Sequence, residues 1–311
     1  MNKKKSPKTE ILKYSKEDII HLAVIQNEAV LKRNFQNIVF VHAVADKGAG
    51  NQAVGIFLSD TNDNQIPLKV QVHMPDGNNH VVNTIVIKGL GKTKAHFANS
   101  PTGSVALSSA QSYTGSACCI LQDPSDSTNN FMLTSCHVLT DGDLANPLDN
   151  TNNENVTYNG DIIGTWAFGS ITSFGDYATV ALKDDFDIEN SGLTYPKGTR
   201  DINGDIDLNA PFYIKSQFND GSKGAYFHGL VCNKISIEYD LGHSQVYDKI
   251  MMLNDSKAIN GGKTLTQGGD SGGAVYDGSN SLVGIIVGGN DVFSYAIPVK
   301  SLIDGLKLNI I

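Results

Sequence analysis

A chain of 311 residues with 40% hydrophobic and 18% charged content can build two or more packed lobes, and it is too apolar to be a disordered segment. Its formal net charge of −8 argues against nucleic acid or an anionic membrane surface as the main partner. The 31 glycines and single tryptophan fit many short strands joined by glycine turns.

Residues 1–14, opening Met-Asn-Lys-Lys-Lys, read as a flexible basic tail. Acids and lysines interrupt the segment after it, which lacks the unbroken apolar run and small-residue cleavage site of a secretory signal. No window approaches the roughly 20 apolar residues of a membrane span. The four cysteines, Cys118, Cys119, Cys136 and Cys232, have neither zinc-site spacing nor a disulfide framework. Together these features predict a cytoplasmic protein in a reducing compartment. Buried free thiols are one reading of the cysteines; a pairing of Cys118 or Cys119 with Cys136 is the other.

In chain order, Ser15-Lys-Glu-Asp18 has the form of a capping box, and Ile19, Leu22, Ala23, Gln26, Ala29 and Val30 follow at helical spacing. This predicts a helix over 15–34. The period then switches. Short β-prone runs at 38–44, 53–58, 68–73 and 84–88 are separated by Lys-Gly-Ala-Gly, Asp-Thr-Asn-Asp-Asn and Pro-Asp-Gly-Asn-Asn. Residues 15–98 therefore read as a small helix-plus-sheet unit. Residues 99–112, rich in Ser, Ala, Thr and Gly, read as a linker.

Beyond it the text is almost wholly strand and turn. Residues 113–209 and 210–311 each carry a set of short strands of similar length, the second ending in a helix over 298–308. The fold class expected is mainly β, two consecutive antiparallel β-barrels with a C-terminal helix.

Residues 267–273, Gln-Gly-Gly-Asp-Ser-Gly-Gly, suit neither a helix nor a packed strand. They suit a strained loop that presents the Ser271 hydroxyl and aims backbone N–H groups at one point. A hydroxyl is a weak nucleophile, so it needs a base and oxyanion donors. His137 stands at the end of a β-run in Leu133-Thr-Ser-Cys-His-Val-Leu139. Asp176 precedes an apolar strand in Phe174-Gly-Asp-Tyr-Ala-Thr-Val-Ala-Leu182. Each has an ordinary alternative: a core histidine, a strand-capping acid, a turn serine. Their conjunction in the order histidine, acid, serine points to acyl-transfer chemistry.

At these residues the chain resembles the trypsin-like serine proteases of the chymotrypsin fold. Thr134-Ser-Cys-His137-Val is similar to the family's small-small-histidine segment, and Gly175-Asp176-Tyr-Ala to its acid segment. Gly269-Asp-Ser271-Gly-Gly-Ala-Val is similar to its nucleophile loop, and 282–289 to the strand lining its specificity pocket. The resemblance covers roughly 112–308. The N-terminal unit looks like the leader unit of some bacterial relatives without export signals.

The resemblance implies a serine endopeptidase with His137, Asp176 and Ser271 as catalytic triad and the N–H groups of Gly269 and Ser271 as oxyanion hole. It implies a polypeptide substrate and requires neither metal nor organic cofactor. It places Leu265 at the base of the substrate pocket, with Thr266 and Gly289 lining it and Phe293 narrowing it. Basic-selective relatives carry an acid at the position of Leu265, so an apolar P1 residue is expected. Many secreted relatives pair the acid before the serine with a freed N-terminus. The barrel's beginning carries no such start segment, so Asp270 must find another partner or bond nearby backbone N–H groups. A regulatory protein partner acting through 15–98 fits the same pattern. Two rival functions stand beside the enzyme: a catalytically inactive protease-fold binding or scaffold module, and an esterase, which the triad order disfavours.

Overall fold

The structure, a computed structural model, describes residues 14–45, 52–63, 65–95, 104–107, 113–140, 154–193, 196–203, 206–239 and 243–311. The basic stretch expected over 1–14 therefore lies outside the described residues but for its last. Two compact units divide the chain, one ending at Ile87 and one running from Lys88 to Ile311, with Ser59–Thr61 grouped in the second.

In the first unit, helix α1 (Lys16–Asn34) begins where the capping box predicts: Ser15 Oγ accepts from the Asp18 N–H, and the Asp18 carboxylate accepts from the Ser15 N–H. Strands β1 (Ile38–Ala45), β2 (Gln52–Leu58), β3 (Lys69–His73) and β4 (Asn79–Ile87) form a sheet in the order β1-β2-β4-β3. β2 and β4 run parallel; the other neighbours are antiparallel. Ile20, Ala23, Val24 and Leu31 of the helix pack with Val41, Val54, Ile56 and Val72 of the sheet. Burying such a stripe is what holds a helix of this length on a sheet.

The second unit opens with two very short strands, β5 (Lys94–Ala95) and β6 (Val105–Leu107). Both differ from the sequence expectation. The small unit ends at Ile87 rather than 98, and of the linker expected over 99–112 the described part, 104–107, contains a barrel strand, β6. Small polar composition reads as a connector, yet backbone N–H and C=O groups near a sheet edge are drawn into its ladder.

The first barrel continues with β7 (Cys119–Asp123), β8 (Asp126–Thr134), the single-turn helix α2 (Cys136–Leu139), β9 (Asn155–Tyr158), β10 (Asp161–Thr172) and β11 (Gly175–Leu182). The strand order β7-β8-β11-β10-β9-β6 is brought round by paired hydrogen bonds between Val105 and Gly115, on the approach to β7. Val105, Ile120, Met132, Val156, Trp166 and Val180 fill it.

The second barrel comprises β12 (Pro211–Lys215), β13 (Asp220–Val231), then a hairpin of β14 (Ser236–Glu238) and β15 (Ser244–Val246), then β16 (Ile250–Asn254), β17 (Ala274–Asp277), β18 (Leu282–Gly289) and β19 (Ser294–Pro298). The pairings β12-β13-β16-β19-β18-β17-β12 close a six-stranded ring. Phe212, Phe227, Met251, Leu253, Val275 and Ile286 are among its buried core. All eight residues of β18 are buried, as its near-continuous apolar text requires. The hairpin lies outside the ring and joins it through β5, in the order β15-β14-β5-β18.

The terminal helix is shorter than predicted. Helix α3 (Lys300–Leu306) ends at Lys307, which has a left-handed φ of 57°, and β20 (Asn309–Ile310) then pairs with β7. The chain thus ends in the barrel that precedes the one it has just completed.

Candidate active site

Register positions the first two residues. Ala178 of β11 lies opposite Thr134 of β8, so Asp176 stands beside the turn in which α2 begins. His137 belongs to α2 and donates its backbone N–H to Asp176 Oδ1 at 3.1 Å. Its ring Nδ1 bonds Asp176 Oδ2. Both side chains are fully buried. An isolated buried carboxylate would cost several kcal/mol, so it needs donors. Asp176 has a third: the hydroxyl of Tyr239, at 3.0 Å. The Tyr239 hydroxyl is itself bonded to that of Tyr247, and the Tyr239 ring meets His137 edge-on at 5.2 Å.

Both phenols sit in the protein interior. Burial first, and then the negative charge of Asp176, push their pKa values well above that of a free tyrosine. They stay neutral, which is the state in which Tyr239 can donate. The Cys136 thiol, next to His137, is also pushed well up, by burial and then by Asp176. A neutral thiol is a poor nucleophile. The four cysteines, all described, are free, and the pairing of Cys136 with Cys118 or Cys119 does not form.

Ser271 comes from the second barrel. Its loop needs glycine: Gly269 and Gly272 have φ of 94° and 88°. A Cβ on Gly272 would also stand 2.2 Å from the Ser116 carbonyl oxygen. Ser116 holds the loop at two further points, its N–H donating to Ser271 O at 2.6 Å and its hydroxyl to Gly269 O at 2.8 Å. The Ile286 carbonyl then ties both sides of the site together. It accepts from the Ser135 hydroxyl, two residues before His137, at 3.1 Å, and from the Gly272 N–H, one residue after Ser271, at 2.8 Å. A Cβ on Gly115 would collide with Val138 at 2.3 Å and with Ser271 O at 2.7 Å, so the histidine and serine segments also meet across that glycine. The Ser271 hydroxyl donates to Val287 O at 3.2 Å, and the residue has no exposed surface.

Asp270 finds its partners locally. Its carboxylate accepts from the Ser216 hydroxyl at 2.5 Å, the Gln267 N–H at 2.8 Å, the Asn219 amide at 3.0 Å and the Phe218 N–H at 3.2 Å. Burial raises its pKa, with these bonds opposing the rise.

The three residues expected to form the pocket lie near β18 and β19. Leu265 is partly buried against the second barrel's core. The Thr266 hydroxyl donates to that of Ser294 at 2.8 Å. Gly289 pairs with Lys94 of β5. Phe293 is buried, edge-on to the His228 ring at 6.0 Å. Sequence reasoning missed Tyr239, Tyr247 and Ser116. A tyrosine on each flank of a short polar segment carries no local signal of contact with a distant acid.

No family model and no curated protein match the chain. Solved structures do. A serine protease described as specific for glutamic acid, using a histidine triad in substrate binding, is 16% identical, with 67% of this chain and 98% of that one covered at a TM-score of 0.44. Protease A of Thermobifida fusca is 14% identical, with 69% and 98% covered at 0.44. A chymotrypsin of Cellulomonas bogoriensis is 13% identical, with 70% and 98% covered at 0.42. Among the described residues the chain folds as two successive antiparallel β-barrels, a double-barrel fold of the chymotrypsin type.

Proposed function

We propose that this chain is a serine endopeptidase working through an acyl-enzyme on Ser271. The observation that carries the reading is the buried His137–Asp176 pair, joined to the Ser271 loop through the Ile286 carbonyl. With Nδ1 engaged by Asp176, the His137 ring offers Nε2 as its working nitrogen. The Ser271 hydroxyl turns from Val287 to Nε2, gives up its proton there and attacks the peptide carbonyl carbon. The N–H groups of Gly269 and Ser271 hold the oxyanion. His137 then delivers the proton to the leaving amine as the C–N bond breaks, and a water, deprotonated in turn by His137, hydrolyses the ester. Asp176 keeps the proton on Nδ1 and stabilises the imidazolium.

Tyr239 is a positioning residue in this scheme. Its donation to Asp176 supports a carboxylate that must stay charged while buried. Tyr239→Phe keeps the ring and removes one hydrogen bond to a charged group, worth about 1.5–3 kcal/mol. The expected result is a kcat at least tenfold lower with KM little changed, read from steady-state peptide hydrolysis. A variant with wild-type kcat would remove Tyr239 from the scheme.

The pocket expected from Leu265, Thr266 and Gly289 brings no charge to pair with a basic side chain. A peptide library should therefore be cut after apolar residues, and every cut should vanish in Ser271→Ala. A profile dominated by arginine or lysine would refute the apolar P1 assignment.

One observation favours the inactive scaffold: Ser271 has no exposed surface. Reaction with a fluorophosphonate separates the two readings, since only an activated serine forms the adduct.

A further inference from the structure

Ser271, His137 and Asp176 are all fully buried. A polypeptide carbonyl cannot meet a hydroxyl with no accessible surface, so a closed and an open arrangement must exist if the function proposed above holds. Val287, whose carbonyl takes the Ser271 proton donation, is followed in β18 by Gly288 and Gly289. These two pair antiparallel with Ala95 and Lys94 of β5. The contact is close: a Cβ on Gly288 would stand 2.3 Å from the Lys94 carbonyl oxygen. On its other edge Lys94 pairs with Glu238 of β14, and the Lys92 ammonium reaches the Glu238 carboxylate at 3.3 Å.

An extended polypeptide docks on an enzyme of this kind most economically by adding a strand to a free sheet edge, where its backbone groups find partners. At Gly288–Gly289 that edge is already taken by the chain's own backbone. We infer that β5 is an autoinhibitory strand: Lys94–Ala95 occupies the β18 edge in place of an extended polypeptide substrate, which must displace it to reach Ser271. The inference rests on the endopeptidase reading for its consequence, and on geometry alone for the closure. A two-residue strand suits the role, because so short a ladder is cheap to open while its tether to the barrel keeps the local concentration high.

Lys94→Pro tests this. Proline removes the backbone N–H of the residue facing Gly289, while the Thr93 carbonyl, which accepts from the Glu238 N–H of β14, is unchanged. In the full-length protein, the variant is expected to form the fluorophosphonate adduct at Ser271 about tenfold faster than wild type, the effect of losing one ladder bond and its neighbour. A folded variant labelled at the wild-type rate or more slowly would overturn the inference, and would make β5 simply the brace that joins the β14–β15 hairpin, with Tyr239, to the barrel.

A second readout does not depend on catalysis. Ser271→Cys, alone and with Lys94→Pro, reports access to position 271 through maleimide modification mapped by mass spectrometry. Faster modification in the double variant supports the closure even if no adduct ever forms on serine, in which case the enzyme reading fails by itself. Equal modification rates overturn the closure whatever the enzyme does. Should Lys94→Pro fail to fold, hydrogen exchange on the Ser271→Cys protein replaces it. Modification in sub-denaturing urea should rise in step with loss of amide protection at Lys94–Ala95, and a rise without that loss contradicts the inference.

Discussion

Ser271→Ala is expected to lower kcat by about 10⁴-fold or more, a barrier increase of about 5.5 kcal/mol. The variant removes the nucleophile and leaves the architecture that holds it. The Ser116 N–H still meets the residue 271 carbonyl, and the Gly272 N–H still meets Ile286. The Oγ donation to Val287 is lost. Thermal unfolding should therefore stay close to wild type while peptide hydrolysis disappears. Comparable hydrolysis by wild type and variant, with contaminating protease excluded, would remove Ser271 from the mechanism.

Asp176→Asn should have an effect of similar size, near 10⁴-fold on kcat, for a different reason. In wild type the carboxylate receives three donors: the His137 N–H, the His137 Nδ1 proton and the Tyr239 hydroxyl. An asparagine of the same shape has one oxygen and one NH₂. If the oxygen faces the His137 backbone N–H, the NH₂ faces the imidazole and the tyrosine. The ring must then take its proton on Nε2 and present Nδ1 as acceptor. That is the wrong tautomer for a base aimed at Ser271. The substituted amide also places a donor against the Tyr239 hydroxyl, which must turn away. Loss of kcat should therefore exceed that of Tyr239→Phe by several powers of ten. Nitrogen NMR on labelled histidine should show the His137 proton moved from Nδ1 to Nε2. Retention of both the tautomer and the rate would contradict the role given to Asp176.

The catalytic candidates were legible in the chain because each sits in a short segment whose composition serves its own turn. Gly269-Asp-Ser271-Gly is loop chemistry that Gly269 and Gly272 use literally, at positive φ. The long barrel strands were legible as apolar runs, and α1 as a capping box with a stripe. What stayed hidden depends on partners far away in sequence. β5, β6 and β20 are two or three residues long, too short for any period, and exist only because another strand offers backbone groups. The boundary at 98 and the linker reading at Val105–Leu107 missed those strands for that reason. Tyr239 reaches Asp176 across a separation of 63 residues, and Ser116 reaches Gly269 across 153, from segments that look like ordinary turn text. Of the two readings of the cysteines, the free thiols hold and the bridge to Cys136 does not form.

The most direct test of the account asks whether Ser271 is an activated nucleophile that depends on His137. Intact wild type, Lys94→Pro and His137→Ala proteins would be incubated with diisopropyl fluorophosphate and digested, and the modified residue mapped by mass spectrometry. The account predicts one adduct, on Ser271, in the first two proteins and none there in the third. A folded protein that never carries the adduct at Ser271, or one that carries it equally without His137, would contradict it.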